Sequence, residues 1–238
     1  MSLDVPLIEV NHLQAHILAH FIEDANPTPP TFPFLCLTVS GGHTMIVLVK
    51  DYFDMEIIGK TIDDAAGEAF DKIGKIFDLD YPAGPIVDRL AKDGNPDAFK
   101  FNKPKMEAYD YSFSGIKTSV LYFIQKEVRK NPDFIKDHLN DLCASVQKSI
   151  IEILMDKLEK AAKELNIKDI AIAGGVSANS GLRKAMEDNR EKLGWNIFIP
   201  KFEYTTDNAA MIAMVAKLKY ERGEFTDIRT TATAKYDL

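Results

Sequence analysis

The chain has 238 residues, 46% hydrophobic and 27% charged, with a formal net charge of −7. This is ordinary globular composition for one large or two modest lobes, and no apolar run approaches the roughly 20 residues that cross a bilayer. Two cysteines exclude a disulfide framework, and the acidic balance argues against a protein that grips nucleic acid unaided, because phosphate contacts need clustered Lys and Arg.

Met1-Ser2-Leu3-Asp4 shows no signal-peptide core. Cys36 falls in a strand pattern and Cys143 on an apolar helix face, so both read as buried thiols of a reducing compartment, the cytoplasm by default. The densest basic stretch, Lys100-Phe101-Asn102-Lys103-Pro104-Lys105, is short. A nucleic-acid partner would therefore depend on a local patch or on a second protein.

In chain order, periodicity predicts a helix over 7–22 with apolar Leu13, Ile17, Leu18 and Phe21, stopped by Asn26-Pro27-Thr28-Pro29-Pro30. A β-hairpin follows over 34–49, turning at Ser40-Gly41-Gly42, then a strand over 55–59. Thr61-Ile62-Asp63-Asp64 resembles a capping box that opens a helix continuing through Ala65, Ala69, Ile73 and Ile76-Phe77. Tyr81-Pro82-Ala83-Gly84-Pro85 is a turn into a short helix near 86–92, and residues 95–112 are polar and irregular. Helices are predicted over 114–129 and 134–165. A strand over 169–173 then runs through Gly174-Gly175 into a helix over 180–192. A strand over 196–199 and a helix over 207–222 close an α/β pattern.

The two glycine turns carry the first functional signal. Glycine lets backbone N–H groups face an anion with no Cβ in the way. One turn after a strand in a hairpin and one between strand and helix suggest a single phosphate-bearing ligand held from two sides.

His12, His16 and His20 recur every four residues, so neighbouring pairs share a helix face, and two imidazoles one turn apart can grip a metal. Leu13 stands where zinc proteases place a glutamate. Helix histidines that pack or face water read equally well. Asp207 is a candidate third ligand or a plain helix-start aspartate.

Asp64, Glu68 and Asp71 fall near one face of the acidic helix, to receive ribose hydroxyls, a metal–phosphate or only solvent. Gly67 in mid-helix costs up to about 1 kcal/mol and signals a close approach there. Asp88 reads as a hydroxyl acceptor or a capping residue, and Ser112 and Ser114 as caps.

Four segments together resemble one family. They are Val39-Ser40-Gly41-Gly42-His43-Thr44, Ile62 through Lys72, Ala173-Gly174-Gly175-Val176-Ser177-Ala178-Asn179 and Thr206-Asp207-Asn208-Ala209-Ala210-Met211. In order and over nearly the whole chain they are similar to the tRNA threonylcarbamoyladenosine transferases, long labelled glycoproteases or O-sialoglycoprotein endopeptidases, of bacterial type.

The resemblance implies an actin/Hsp70/sugar-kinase-type fold with nucleotide and metal between two lobes. It implies His12, His16 and Asp207 as ligands of one divalent iron or zinc ion. Thr38, Val39, Ser40, Gly41 and Gly42 become the phosphate or acyl-adenylate loop, and Asp71, Gly84, Asp88 and Asn179 further contacts to an adenylate or ATP-type nucleotide. No catalytic acid or base is assigned. The implied reaction moves threonylcarbamoyl from threonylcarbamoyl-AMP to N6 of the adenine beside the anticodon of ANN-decoding tRNAs. The implied partners are a truncated paralogue and a small ATPase, which would help an acidic subunit to hold tRNA.

The chain departs from the family in lacking an early phosphate-binding hairpin. Met1-Ser2-Leu3 reads like an expression leader, so the expectation is a C-terminal fragment with the first lobe largely missing. Residues 1–30 then form a connecting helix, 31–205 a complete second lobe, and 206–238 a last helix and tail returning to the first lobe. Helices 7–22 and 207–222 should expose apolar faces and favour a dimer. A fragment with half a cleft is expected to be inactive alone. Competing readings are a metal-dependent glycoprotein endopeptidase, a nucleotide-binding module without catalysis, and a sugar or acetate kinase of the same fold.

Overall fold

A computed structural model describes residues 5–24, 28–233 and 238; the leader-like Met1-Ser2-Leu3 lies outside them. The chain builds α1 (His12–Leu18), which runs into a 3-10 turn (Ala19–Phe21), then β1 (Phe34–Val39), β2 (Thr44–Asp51) and β3 (Asp54–Lys60). Next come α2 (Ala66–Ile76), α3 (Ala83–Ala91), α4 (Ser114–Val128), α5 (Phe134–Asp137) and α6 (Leu139–Leu165). β4 (Asp169–Ala173), a 3-10 turn (Gly175–Ala178), α7 (Ser180–Leu193), β5 (Asn196–Phe198), a 3-10 turn (Phe202–Tyr204) and α8 (Ala209–Glu221) complete the order.

The five strands form one sheet in the order β3-β2-β1-β4-β5. The first three are an antiparallel meander, and β4 joins parallel to β1 with Thr38 opposite Ala173. Every residue of β1 is buried, because helices cover both sheet faces. On one face Leu35, Leu37, Val39, Ile46, Ile170 and Ile172 pack under α2, α4, α6 and α7. On the other, Phe34, Cys36, Val47, Val49, Ala171 and Ala173 pack under α1 and α8. The parallel pairing brings the C-terminal ends of β1 and β4 side by side, and both glycine turns leave from that edge.

Several boundaries differ from expectation. α2 begins at Ala66 rather than at Thr61, because Thr44 Oγ1 on β2 accepts the Ala66 N–H at 2.8 Å, a cap invisible to local pattern. Thr61 bonds to the Asp64 carbonyl instead, so Asp64 lies ahead of the helix and shares Lys72 with Glu68. The helix expected over 134–165 is broken at His138, whose ring packs against Phe134 and Phe99. α8 is capped by Asn208, which accepts the Met211 N–H, and Asp207 stands one residue before that cap.

Candidate functional site

The strongest convergence is among side chains from opposite ends of the chain. α1 is capped by Asn11, whose side chain accepts from the Leu13 and Gln14 N–H groups. Leu13, Ala15, Ile17 and Leu18 seat it on the sheet beside Met211 and Val215 of α8. His12 and His16 then rise from one face with rings 4.8 Å apart and nearly perpendicular. Their Nε2 atoms stand 3.3 and 3.1 Å from the same Asp207 Oδ1. The ligand atoms of all three residues lie within 4.8 Å of one another.

A tetrahedral cation bound at roughly 2.0–2.1 Å would separate its ligands by about 3.3 Å, and two imidazoles with a carboxylate are a donor set suited to zinc or iron. The residues therefore fit a divalent ion. Burial, then His12, lower the His16 pKa against the opposing pull of Asp207, which favours the neutral imidazole that can ligate. Leu13 is buried in the core and offers no metal-ligating group.

His20 does not join them. The helix ends at Leu18, and the tighter 3-10 turn points His20 into the core, where its Nε2 lies 2.9 Å from the Ile172 carbonyl. Burial lowers its pKa to about 4.

The glycine turns sit between two cavities. One, of about 350 Å³, is lined by Gly41, Gly67, Phe70, Asp71, Tyr81, Gly84, Asp88, Gly175, Val176 and Asn179, among others. The second, of about 460 Å³, is lined by His12, His16, Asp207, Thr38, Ser40, Gly41, His43, Gly175 and Thr206, together with Leu13. Gly41 and Gly175 line both, so the cavities meet at the turns. Val39 and Gly42 line neither: Val39 is buried in the core with its carbonyl against Gly174, and the Gly42 N–H donates to Ser40 Oγ.

Gly174 has φ +85°, and a Cβ there would fall 2.5 Å from the Val39 carbonyl oxygen, so the two turns interlock only through glycine. At Gly41 and Gly42 an added Cβ would meet nothing within 4 Å; that face is open, and the Gly41 N–H has no partner among the described residues. The close approach signalled by Gly67 is the other turn: its N–H donates to Ser40 O at 3.1 Å, and a Cβ would lie 2.7 Å from that oxygen.

Asp71 Oδ1 accepts the Ala83 N–H at 2.8 Å and the Gly84 N–H at 3.4 Å, holding the start of α3. Asp88 Oδ1 accepts from the Ser180 N–H and hydroxyl. The Oδ2 of each makes no hydrogen bond among the described residues, which leaves one fixed acceptor apiece at the first cavity. Asn179 caps α7 through the Leu182 N–H and donates to Gln147. Asp63 accepts from Ser112, Phe113 and Ser114, so those serines tie α4 to the loop before α2.

Sequence reasoning did not single out His43, Phe70, Val176 and Thr206 as site residues, and it read Tyr81 only as part of a turn whose backbone could approach a sugar or base. His43 was the most legible of them, following the glycine pair directly.

The family model for tRNA N6-adenosine threonylcarbamoyltransferase matches residues 1–214. The chain is 82% identical over all 238 residues to the tRNA N6-adenosine threonylcarbamoyltransferase of Riemerella anatipestifer, spanning 70% of that protein. It is 59% identical over 236 residues to that of Christiangramia forsetii, spanning 69% of it. Among solved structures it superposes on full-length HypF in a phosphate- and nucleotide-bound form with a TM-score of 0.69 at 14% identity, covering 94% of this chain and 38% of that one. The fold is the α/β, actin/Hsp70/sugar-kinase type.

Proposed function

The chain belongs to the tRNA N6-adenosine threonylcarbamoyltransferase family, and on that premise we propose how its residues divide the transfer of threonylcarbamoyl from threonylcarbamoyl-AMP to N6 of the adenine beside the anticodon of ANN-decoding tRNAs. The observation that carries the reading is the meeting of the two cavities at Gly41 and Gly175. One ligand can thread the turns, its nucleotide on one side and its acyl group on the other.

The adenosine moiety occupies the 350 Å³ cavity, with ribose hydroxyls on the unused oxygens of Asp71 and Asp88 and the chain at Gly84 and Asn179 closing around it. The backbone from Thr38 to Gly42 receives the phosphate, the open faces of Gly41 and Gly42 giving it close approach. The threonylcarbamoyl end points into the 460 Å³ cavity toward His12, His16 and Asp207. These three would hold one iron or zinc ion, which supplies Lewis-acid polarisation of the acyl oxygens when bound. Backbone donors fixed in the glycine turns stabilise the charge that builds on the departing phosphate.

The relatives are longer than this chain, and we assign the activity to the protein of that full length, with residues 31–205 as its second lobe and 1–30 and 206–238 as the connection to the first. The isolated chain is inactive in this account. A truncated paralogue and a small ATPase of the same pathway assist tRNA binding in the cytoplasm.

The test uses the full-length protein with threonylcarbamoyl-AMP labelled in its threonine moiety and an ANN-decoding tRNA. Label at N6 of the adenine beside the anticodon, with release of AMP, is the expected result. Label that stays off the tRNA while peptide or phosphate bonds are hydrolysed would overturn the reading.

A further inference from the structure

We propose that His43 is a catalytic residue of this site, the base that accepts the proton shed by the attacking amine during acyl transfer. The inference rests on the transferase reading above and fills a role that reading leaves empty.

Three observations carry it. First, the position of His43 is fixed. Its carbonyl accepts the Ser40 N–H at 2.8 Å, and its own N–H donates to Ser40 Oγ at 3.0 Å. The next residue, Thr44, is buried in β2 and holds the start of α2. A side chain on so closed a turn is presented from a rigid element.

Second, His43 lines the cavity that contains His12, His16 and Asp207, not the one lined by Asp71 and Asp88. It therefore stands on the acyl side of the glycine turns, where the new bond must form.

Third, its ring has no hydrogen-bond or ion-pair partner among the described residues, and it lies near enough to His16 for the two rings to repel each other when charged. His12 and His16 face Asp207, His20 meets the Ile172 carbonyl, and His138 packs on phenylalanines. The His43 side chain is exposed and makes no hydrogen bond or ion pair among the described residues. Ser40 Oγ is already occupied by the N–H groups of Gly42 and His43.

The chemistry needs such a group. The exocyclic amine of adenine shares its lone pair with the ring and is a weak nucleophile until it loses a proton. As its nitrogen bonds to the acyl carbon, the bond from that carbon to the phosphate oxygen breaks, and the electron pair leaves with AMP. The nitrogen's proton passes to the free imidazole nitrogen of His43, which later returns it to solvent. A positioned base of this kind contributes roughly 10²–10⁴-fold.

The experiment compares full-length protein with its His43→Ala and His43→Gln variants. It reads single-turnover transfer from threonylcarbamoyl-AMP to tRNA, affinity for the adenylate, and bound metal. Both variants should transfer at least about 10²-fold more slowly with adenylate affinity and metal content unchanged. Added imidazole should restore part of the rate to His43→Ala and leave the unaltered protein unaffected. Transfer within about twofold of the unaltered rate in His43→Ala would overturn the proposal. So would a slow variant that has lost adenylate binding in step, or that imidazole does not help, since His43 would then only shape the loop. An unaltered protein that transfers nothing would instead overturn the functional reading, and this proposal with it.

Discussion

His16 Nε2 lies 3.1 Å from Asp207 Oδ1 across 191 residues of sequence. The pair is held by what surrounds it rather than by its own attraction: the Asp207 side chain is 77% exposed, and exposed ion pairs contribute little. Burial of Leu13, Ile17 and Leu18 against Met211 and Val215 fixes α1 beside α8. The three candidate ligands are thus brought together by core packing, before any ion binds.

That predicts an Asp207 that is dispensable for folding and, in the proposed function, required for the ion. Asp207→Ala should leave the unfolding free energy within about 0.5 kcal/mol of the unaltered chain's, as for surface substitutions generally. It should weaken zinc or iron binding by more than the 10–100-fold that loss of an outer partner costs. Urea unfolding and metal content after dialysis check the two halves separately.

Gly67→Ala should act on the other side of the site. The new Cβ would meet Ser40 O at 2.7 Å and Gly41 backbone at 2.9 Å, and backbone cannot swing aside as a side-chain tip can. The expected loss is about 1–3 kcal/mol, with weaker nucleotide binding because the glycine turn is displaced. Denaturant titration and calorimetry with an adenine nucleotide read both effects.

Much of the fold was legible because β1, β2 and β4 are short apolar runs, β1 buried throughout and β4 from Ile170 onward. The expected helix over 7–22 starts only at His12, where Asn11 caps it locally, whereas the misread boundaries of α2 and α6 share one cause, a long-range partner. Thr44 caps α2 from another element, and His138 is drawn onto Phe99 and Phe134. His12 and His16 could be paired from their spacing alone. Their meeting with Asp207 could not, since it depends on how α1 and α8 lie on the sheet. Asp71 and Asp88 were expected from the resemblance to contact the ligand; each anchors a helix start on another element, a partner no local pattern names, although Asp88 was also read as a capping residue.

Asp71→Ala should therefore show two losses. Removing the acceptor for Ala83 and Gly84 should cost about 1 kcal/mol, as loss of a helix cap does. It should also weaken adenylate binding more than the stability change explains. Asp71→Asn, which keeps an oxygen acceptor, should recover most of the stability.

His20 gives the chain an acid-sensitive core. Its folded pKa of about 4 lies below the ordinary 6.5, first because burial disfavours the charged ring. Between those values the unfolded chain binds a proton that the folded chain does not. The stabilisation is full above pH 6.5 and is lost as pH falls toward 4, in total about 3 kcal/mol. Urea unfolding at pH 7 and pH 4.5 should show the loss, and His20→Gln should remove its share of the slope.

The expected apolar face is found on α8 rather than α1. The apolar residues of α1 are buried, while Ile212 and Tyr220 of α8 and nearby Leu7 and Phe225 are exposed. We propose that the chain alone dimerises through this surface. Light scattering after size exclusion should give twice the 26.7 kDa chain mass, and Ile212→Lys should return it to the monomer.

The central claim, one adenylate spanning both cavities, is tested most directly by calorimetry. Threonylcarbamoyl-AMP and AMP are titrated into full-length protein with and without zinc or iron, and into Asp207→Ala. The account predicts that the metal tightens binding of the acyl-adenylate but not of AMP, and that Asp207→Ala abolishes the difference. Equal metal dependence for both nucleotides, or none for either, would contradict it.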